Sequence, residues 1–208
     1  MREARNDPPR AGRGRRKQGE TSGKLLTMAA KEFRRNGFHA TTTRELSAAL
    51  GIEKASLYYH VSSKQELLYR ICVQSLDAIY ATVSTAIEDI DEHRSRIAAL
   101  IHAHVDVMLR DRDMHATMLV ELRALQGGQR TEVIALRDRY EGLVRSELAD
   151  AQAAGVLTGD HTARDLSLSL LNLLNWTIFW YRPGGGSTPE QIASMFETVF
   201  LDGVALVR

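Results

Sequence analysis

The polar and apolar positions divide the chain into helical repeats separated by short breaks. Leu25, Leu26, Ala29, Ala30 and Phe33 recur at the spacing of one helix face, behind a capping hydroxyl at Thr21 or Ser22 and before Asn36-Gly37, which stops the run. Two short helices are predicted next, 44–50 and 54–60, hinged at Gly51. A long one, 63–89, carries Leu67, Leu68, Ile71, Leu76, Ile79, Val83 and Ile87. Charged breaks at 88–94 and 111–113 frame a helix with Ile97, Leu100, Ile101, Val105, Met108 and Leu109, and a second with Met114, Met118, Leu119, Leu122 and Leu125. Gln126-Gly127-Gly128-Gln129 reads as a loop. An amphipathic helix, 132–154, ends at Gly155. An apolar helix, 162–181, is capped by Asp160 or Thr162 and stopped by Arg182-Pro183-Gly184. Thr188-Pro189-Glu190-Gln191 is a well-formed start for the last helix. Nine helices and no strand predict an all-α protein.

The stretch 42–64, TTRELSAALGIEKASLYYHVSSK, carries the chemistry. Thr42 and Thr43 offer a cap for the first short helix. Gly51 supplies the positive φ of a tight turn, and Ile52 can plug the angle between the helices. Leu57 is the one large aliphatic residue of the second helix and must point back at the first. Such a helix-turn-helix has a second helix short and polar enough for a DNA major groove. The residues expected to meet DNA are Thr42, Thr43, Arg44, Lys54, Ala55, Ser56, Tyr58, Tyr59, His60 and Lys64. The competing reading is a plain helical hairpin with tyrosines in its core, which suits so many polar aromatics on so short a helix poorly.

The residues Phe33, Gly37, Ala40-Thr41-Thr42, Glu45-Leu46-Ser47, Ala49, Gly51-Ile52, Lys54 to His60 and Ser63 to Leu68 resemble the DNA-binding domain of TetR-family transcriptional regulators. The resemblance runs over about residues 21–68 and departs at three points. Glu53 stands where a small capping Ser is usual, Ala55 where Gly is common, and Val61 where Phe usually closes the motif. It implies a three-helix head on a ligand-binding and dimerising helical body, with Lys64 as a phosphate contact. The expected organisation is a disordered basic arm over 1–20, the head over 21–68 and the body over 69–208.

Charge agrees with that division. Residues 1–62 hold 13 Lys/Arg against 6 Asp/Glu, while residues 63–208 hold 14 against 20, so a basic third precedes an acidic remainder. The Arg-rich N-terminus has no apolar core and does not read as a secretory signal. The most apolar run, 166–181, is too short to span a membrane. A cytoplasmic location is expected. The single cysteine, Cys72, rules out an intramolecular disulfide and a Cys-based zinc site, and it reads as packing. His102, His104, Asp106 and His115 do not converge: only His102 and Asp106 share a helix face. No metal, cofactor or nucleophile–base arrangement is expected, and no enzyme activity.

In the body, the apolar helix 162–181 needs cover on both faces. The last helix and a second copy are expected to supply it, through Leu170, Leu174, Ile192, Met195, Phe196, Val199 and Phe200, making a homodimer. Met108, Met118, Leu122, Tyr140, Asn172, Trp176 and Phe179 are the candidate lining of a ligand cavity, Trp176 as an apolar wall and Asn172 as an orienting amide. Asn175 is a further amide that needs a partner. The run Trp180-Tyr181-Arg182-Pro183-Gly184-Gly185 resembles TetR regulators of fatty-acid, thioester and steroid breakdown, which implies a hydrophobic or acyl-CoA-like effector. The expected function is a repressor released from a pseudo-palindromic double-stranded DNA operator by that effector. The alternatives are a DNA-bound adaptor answering to a protein partner, and a lipid-binding enzyme or carrier.

Overall fold

The computed structural model describes residues 11–204, with side chains from Gly23 to Gly203. Residues 1–10 of the expected basic arm lie outside the described residues. Helix α1, Ala11–Asn36, begins ten residues before the expected cap, so the arm is helical from Ala11 on. Arg, Lys, Gln and Ala all favour helix, and they extend a segment already nucleated by the buried face of Leu25, Leu26, Ala29, Ala30 and Phe33. Gly37, at φ 81°, ends it.

Helix α2, Thr43–Leu50, is started by a reciprocal cap. The Thr42 hydroxyl accepts from the Glu45 amide at 3.2 Å, and the Thr42 amide donates to the Glu45 carboxylate at 2.7 Å. Gly51 closes it at φ 65°, where the Ile52 amide donates back to the Ser47 carbonyl. Helix α3, Lys54–His60, follows without a side-chain cap, because Glu53 makes no such bond. Leu46 and Leu57 are fully buried between α2, α3 and α1, and Val61 seals the end in an extended conformation.

Helix α4, Lys64–Ile87, starts under the Ser63 cap and runs without a break from the head into the body. Arg96 fastens its far end. This guanidinium donates to the carbonyls of Ile87 and Ile90, both at 2.8 Å, and grips both carboxylate oxygens of Glu147.

The body adds α5, His93–Arg110; α6, Arg112–Glu121, tightening into a 3-10 turn, Leu122–Ala124; α7, Gly127–Ala153; α8, Ala163–Asn175; α9, Thr177–Trp180; and α10, Pro189–Val204. Helix α5 is central, packed by α4, α7 and α10, and α6 lies between α1 and α4. The expected caps at Thr162 and at Thr188/Gln191 are present. Two expectations fail locally. Helix α7 already starts at Gly127, inside the expected loop. The expected single helix 162–181 is broken at Trp176 into α8 and α9. There the buried Thr177 hydroxyl takes the Leu174 carbonyl at 2.7 Å, and the ladder tightens to a bond from the Phe179 amide to the Trp176 carbonyl. Among the described residues there is no strand, and no helix long and apolar enough to cross a membrane.

Candidate DNA-binding head and ligand cavity

Helix α3 buries Leu57 alone, which leaves Lys54, Ala55, Ser56, Tyr58 and Tyr59 exposed on one short polar surface. Tyr59 is 79% exposed and Tyr58 46%, so neither is core. The Tyr58 hydroxyl reaches Thr43 at 3.5 Å, and the Lys54 ammonium lies 5.8 Å from the Tyr58 ring centre. Thr43, Arg44 and Thr42 at the start of α2 border this surface, with the Thr42 side chain occupied by its cap; His60 is half-buried at the end. The arrangement presents hydroxyls, two cations and two phenols to a groove, with peptide N–H groups at the starts of both helices.

Lys64 behaves differently from expectation. Its ammonium turns inward and donates to the carbonyls of Phe38 at 2.6 Å, His39 at 3.2 Å and Thr41 at 2.8 Å, over the Phe38 ring. Burial lowers its pKa. An ammonium has three N–H bonds, and all three are taken, so Lys64 ties the α1–α2 turn together rather than reaching for phosphate.

The body holds a cavity of about 580 Å³ between α4, α5, α6, α7 and α8. Leu76, Ile79, Met118, Leu119, Leu168 and Leu171 give it apolar walls; His104, Tyr140, Asn172 and Asn175 add polar groups; Arg137, Asp138, Glu141 and Arg164 also line it. A second groove, lined by Met118, Leu119, Val120, Leu122, Arg123, Arg130 and Arg137, shares three residues with the first and places three arginines beside it.

Of the expected cavity residues, Met118, Tyr140 and Asn172 line the main chamber and Leu122 the arginine groove. Met108 is instead sealed in the core of α5. Trp176 is 64% exposed, because the break after Asn175 turns its indole outward onto the Phe179 ring, 4.6 Å away between centroids. Phe179 borders a separate crevice of about 280 Å³ between α1, α6 and α9. The arginines were missed, although Arg130 and Arg137 stand seven residues apart on α7 and so share a face.

The expected dimer residues divide. Leu170, Leu174, Ile192, Phe196 and Phe200 are buried within a single chain, whereas Met195 and Val199 are 47% and 59% exposed. Helix α10 spends its Phe side on α5, and the exposed Trp180 ring meets Phe196 edge-on. His102 pairs with Glu197, His104 with Tyr140, and His115 is buried without a bond to either histidine. Among the described residues no His, Cys, Asp and Glu group is arranged to hold a metal. Burial pushes the Cys72 thiol up to about 12, which leaves it unreactive.

Head and body are joined by polar contacts as well as by α4. Arg34 of α1 pairs with Asp113 of α6 at 2.5 Å and reaches the Ile178 carbonyl of α9 at 3.5 Å, which Arg112 also holds at 2.9 Å. The Thr117 hydroxyl donates to the Ala30 carbonyl, and the Phe38 amide donates to Glu121.

Comparison with known proteins agrees with this two-part plan. Residues 25–71 match the family described as bacterial regulatory proteins, tetR family, and residues 91–204 match the tetracyclin repressor-like C-terminal domain. The chain belongs to the TetR family. It is a DNA-binding transcriptional regulator, and α1 to α3 are the DNA-binding head of that family. The HTH-type transcriptional repressor KstR2 of Rhodococcus jostii (strain RHA1) is 28% identical over 194 residues, 89% of this chain and 95% of that protein. Among solved structures, the TetR-family regulator PfmR of Thermus thermophilus superimposes with a TM-score of 0.80 at 32% identity, covering 88% of this chain and 99% of its own. AibR in complex with isovaleryl coenzyme A and operator DNA superimposes with a TM-score of 0.78 at 25% identity, covering 86% and 97%.

Proposed function

We propose that this TetR-family chain is a homodimeric repressor released from a pseudo-palindromic operator by the CoA thioester of a hydrophobic acid. The observation that carries the reading is the pairing of a cavity of about 580 Å³, walled in part by Leu76, Ile79, Met118, Leu119, Leu168 and Leu171, with an adjoining groove lined by Arg123, Arg130 and Arg137. The chamber suits an acyl chain. Guanidinium groups suit the phosphates of a nucleotide, which a free fatty acid lacks. The similarity to KstR2, a repressor, and to AibR, solved with isovaleryl coenzyme A and operator DNA, supports the same class. The DNA-facing residues on this reading are Thr43, Arg44, Lys54, Ala55, Ser56, Tyr58, Tyr59 and His60. The dimer seam uses the outer side of α10, Met195 and Val199, with Trp180 and Trp176.

The test is release of a labelled operator by decanoyl-CoA, decanoic acid and CoA in parallel. Decanoyl-CoA should release it, with the acid and CoA weaker by about tenfold or more, and Arg130→Ala with Arg137→Ala should erase the advantage of the thioester over the acid. Equal potency of acid and thioester would sink the thioester assignment. The adaptor reading needs a filled core, and a chamber above roughly 300 Å³ counts against it.

A further inference from the structure

The cavity has a polar feature that an alkyl chain does not use. His104 lies wholly buried in its wall, on α5, with no exposed surface. Its Nδ1 is 2.7 Å from the Tyr140 hydroxyl, itself buried, while its Nε2 is buried without a hydrogen-bond partner. Asn175, also in the wall, approaches the ring closely enough to favour its charged form slightly, but it does not close a bond to Nε2. Burial holds the ring neutral, with a pKa of about 3, so it carries a single N–H. Where that proton sits follows from Tyr140. If Nδ1–H donated to the phenol oxygen, both the phenol proton and the Nε2 lone pair would lack partners. If the phenol donates to Nδ1, only Nε2–H is left over. The second arrangement leaves one polar group unsatisfied rather than two, and that group is a donor.

We propose that His104 Nε2, oriented by Tyr140 and flanked by the Asn175 amide, is a specificity site for an oxygen function on the ligand's acyl group, a ketone or hydroxyl remote from the thioester. Buried donors are normally paired, and no side chain of the wall, Asn175 included, closes a bond to this one. A site built to bond an oxygen discriminates strongly against the analogue that lacks it, because the donor is then left unpaired. The proposal rests on the cavity being the effector site. It does not depend on the thioester, since a ketone without CoA can occupy the same end of the cavity.

The experiment measures binding to the DNA-free protein, by calorimetry, of decanoyl-CoA and of its 5-oxo, 7-oxo and 9-oxo derivatives, with operator release in parallel. At least one oxo derivative should bind about tenfold more tightly than decanoyl-CoA, the size expected for one buried hydrogen bond to a preset donor. In His104→Leu that preference should vanish while decanoyl-CoA binds as well or better; His104→Gln, which restores a donor, should recover part of it. Should His104→Leu fail to fold, wild-type protein labelled with 15N at histidine decides the matter: the His104 Nε2–H resonance should move with the preferred oxo ligand and stay still with decanoyl-CoA. If no CoA thioester binds, the thioester assignment falls, and 2-decanone against 1-decene tests the end site alone, with the ketone expected to bind about tenfold more tightly. Equal binding of oxo and plain chains by the wild-type protein, or an oxo preference that survives His104→Leu, would overturn the proposal.

Discussion

Lys64 has three N–H bonds to place, and the carbonyls of Phe38, His39 and Thr41 take all of them. Replacing it with Met keeps the stem over Phe38 and removes the donors. The variant should lose about 1–3 kcal/mol of stability, as expected for charge-assisted bonds to part-buried carbonyls, with amide exchange rising first over residues 37–41. Operator affinity should fall through disorder of the α1–α2 turn, with little change in its salt slope; a slope lowered by one counterion would restore Lys64 as a phosphate contact. His104 and His115 give the second prediction at this scale. Burial lowers their pKa values to about 3 and about 4, against about 6.5 in the unfolded chain. Below pH 6.5 the unfolded state therefore binds protons that the folded state refuses. Stability is fully present above that pH and is lost on acidification. By pH 5 each histidine should cost about 2 kcal/mol, and the urea midpoints of wild type and His115→Leu should run parallel above pH 7 and diverge below it.

At the scale of elements, the hydroxyl caps were legible in the sequence because they are local. Thr42/Glu45 and Thr188/Gln191 each bond across three residues and need nothing else. The break at Trp176 was not legible, since it depends on the Thr177 hydroxyl displacing a ladder bond inside a buried packing. Periodicity also reports that a face is covered without saying by what. For that reason Phe196 and Phe200 were read as seam residues although α5 covers them within one chain. The exposed face of α3 was legible because a seven-residue helix with one large aliphatic can bury only that residue. Tyr58→Ala should accordingly leave stability within about 0.5 kcal/mol, while specific operator binding weakens by about 1–3 kcal/mol relative to random DNA. Loss of thermal stability in that variant would return Tyr58 to the core.

For the whole molecule, two aspartate substitutions on α10 separate packing from assembly. Phe196→Asp buries a charge inside one chain and should cost more than about 3 kcal/mol, seen as an unfolded or aggregated product. Val199→Asp lies on the outer side and should give a folded monomer by sedimentation, with operator affinity greatly reduced because one short recognition helix reads few base pairs. A folded dimer from Val199→Asp would move the seam elsewhere. The connection between cavity and head sets a longer chain of contacts. A ligand against Asn172 and Asn175 presses on α8, whose end passes directly into α9, and the Ile178 carbonyl of α9 is held by Arg112 of α6 and by Arg34 of α1. Arg34 is thus bonded to two body helices, α6 through Asp113 and α9 through Ile178. A ligand shifts operator affinity only if some contact differs in energy between the gripping and released states, and a typical coupling is about 1–3 kcal/mol. Arg34→Met removes these polar contacts and keeps the apolar stem. Its ligand-free operator affinity should stay within about threefold of wild type, and its effector affinity in the absence of DNA should not change. The factor by which effector weakens operator binding should fall by about tenfold, that is by about 1.4 kcal/mol of coupling. Full release by effector in Arg34→Met would leave α4 and the remaining α6 contacts, Thr117 to Ala30 and Glu121 to Phe38, as the carriers of the signal.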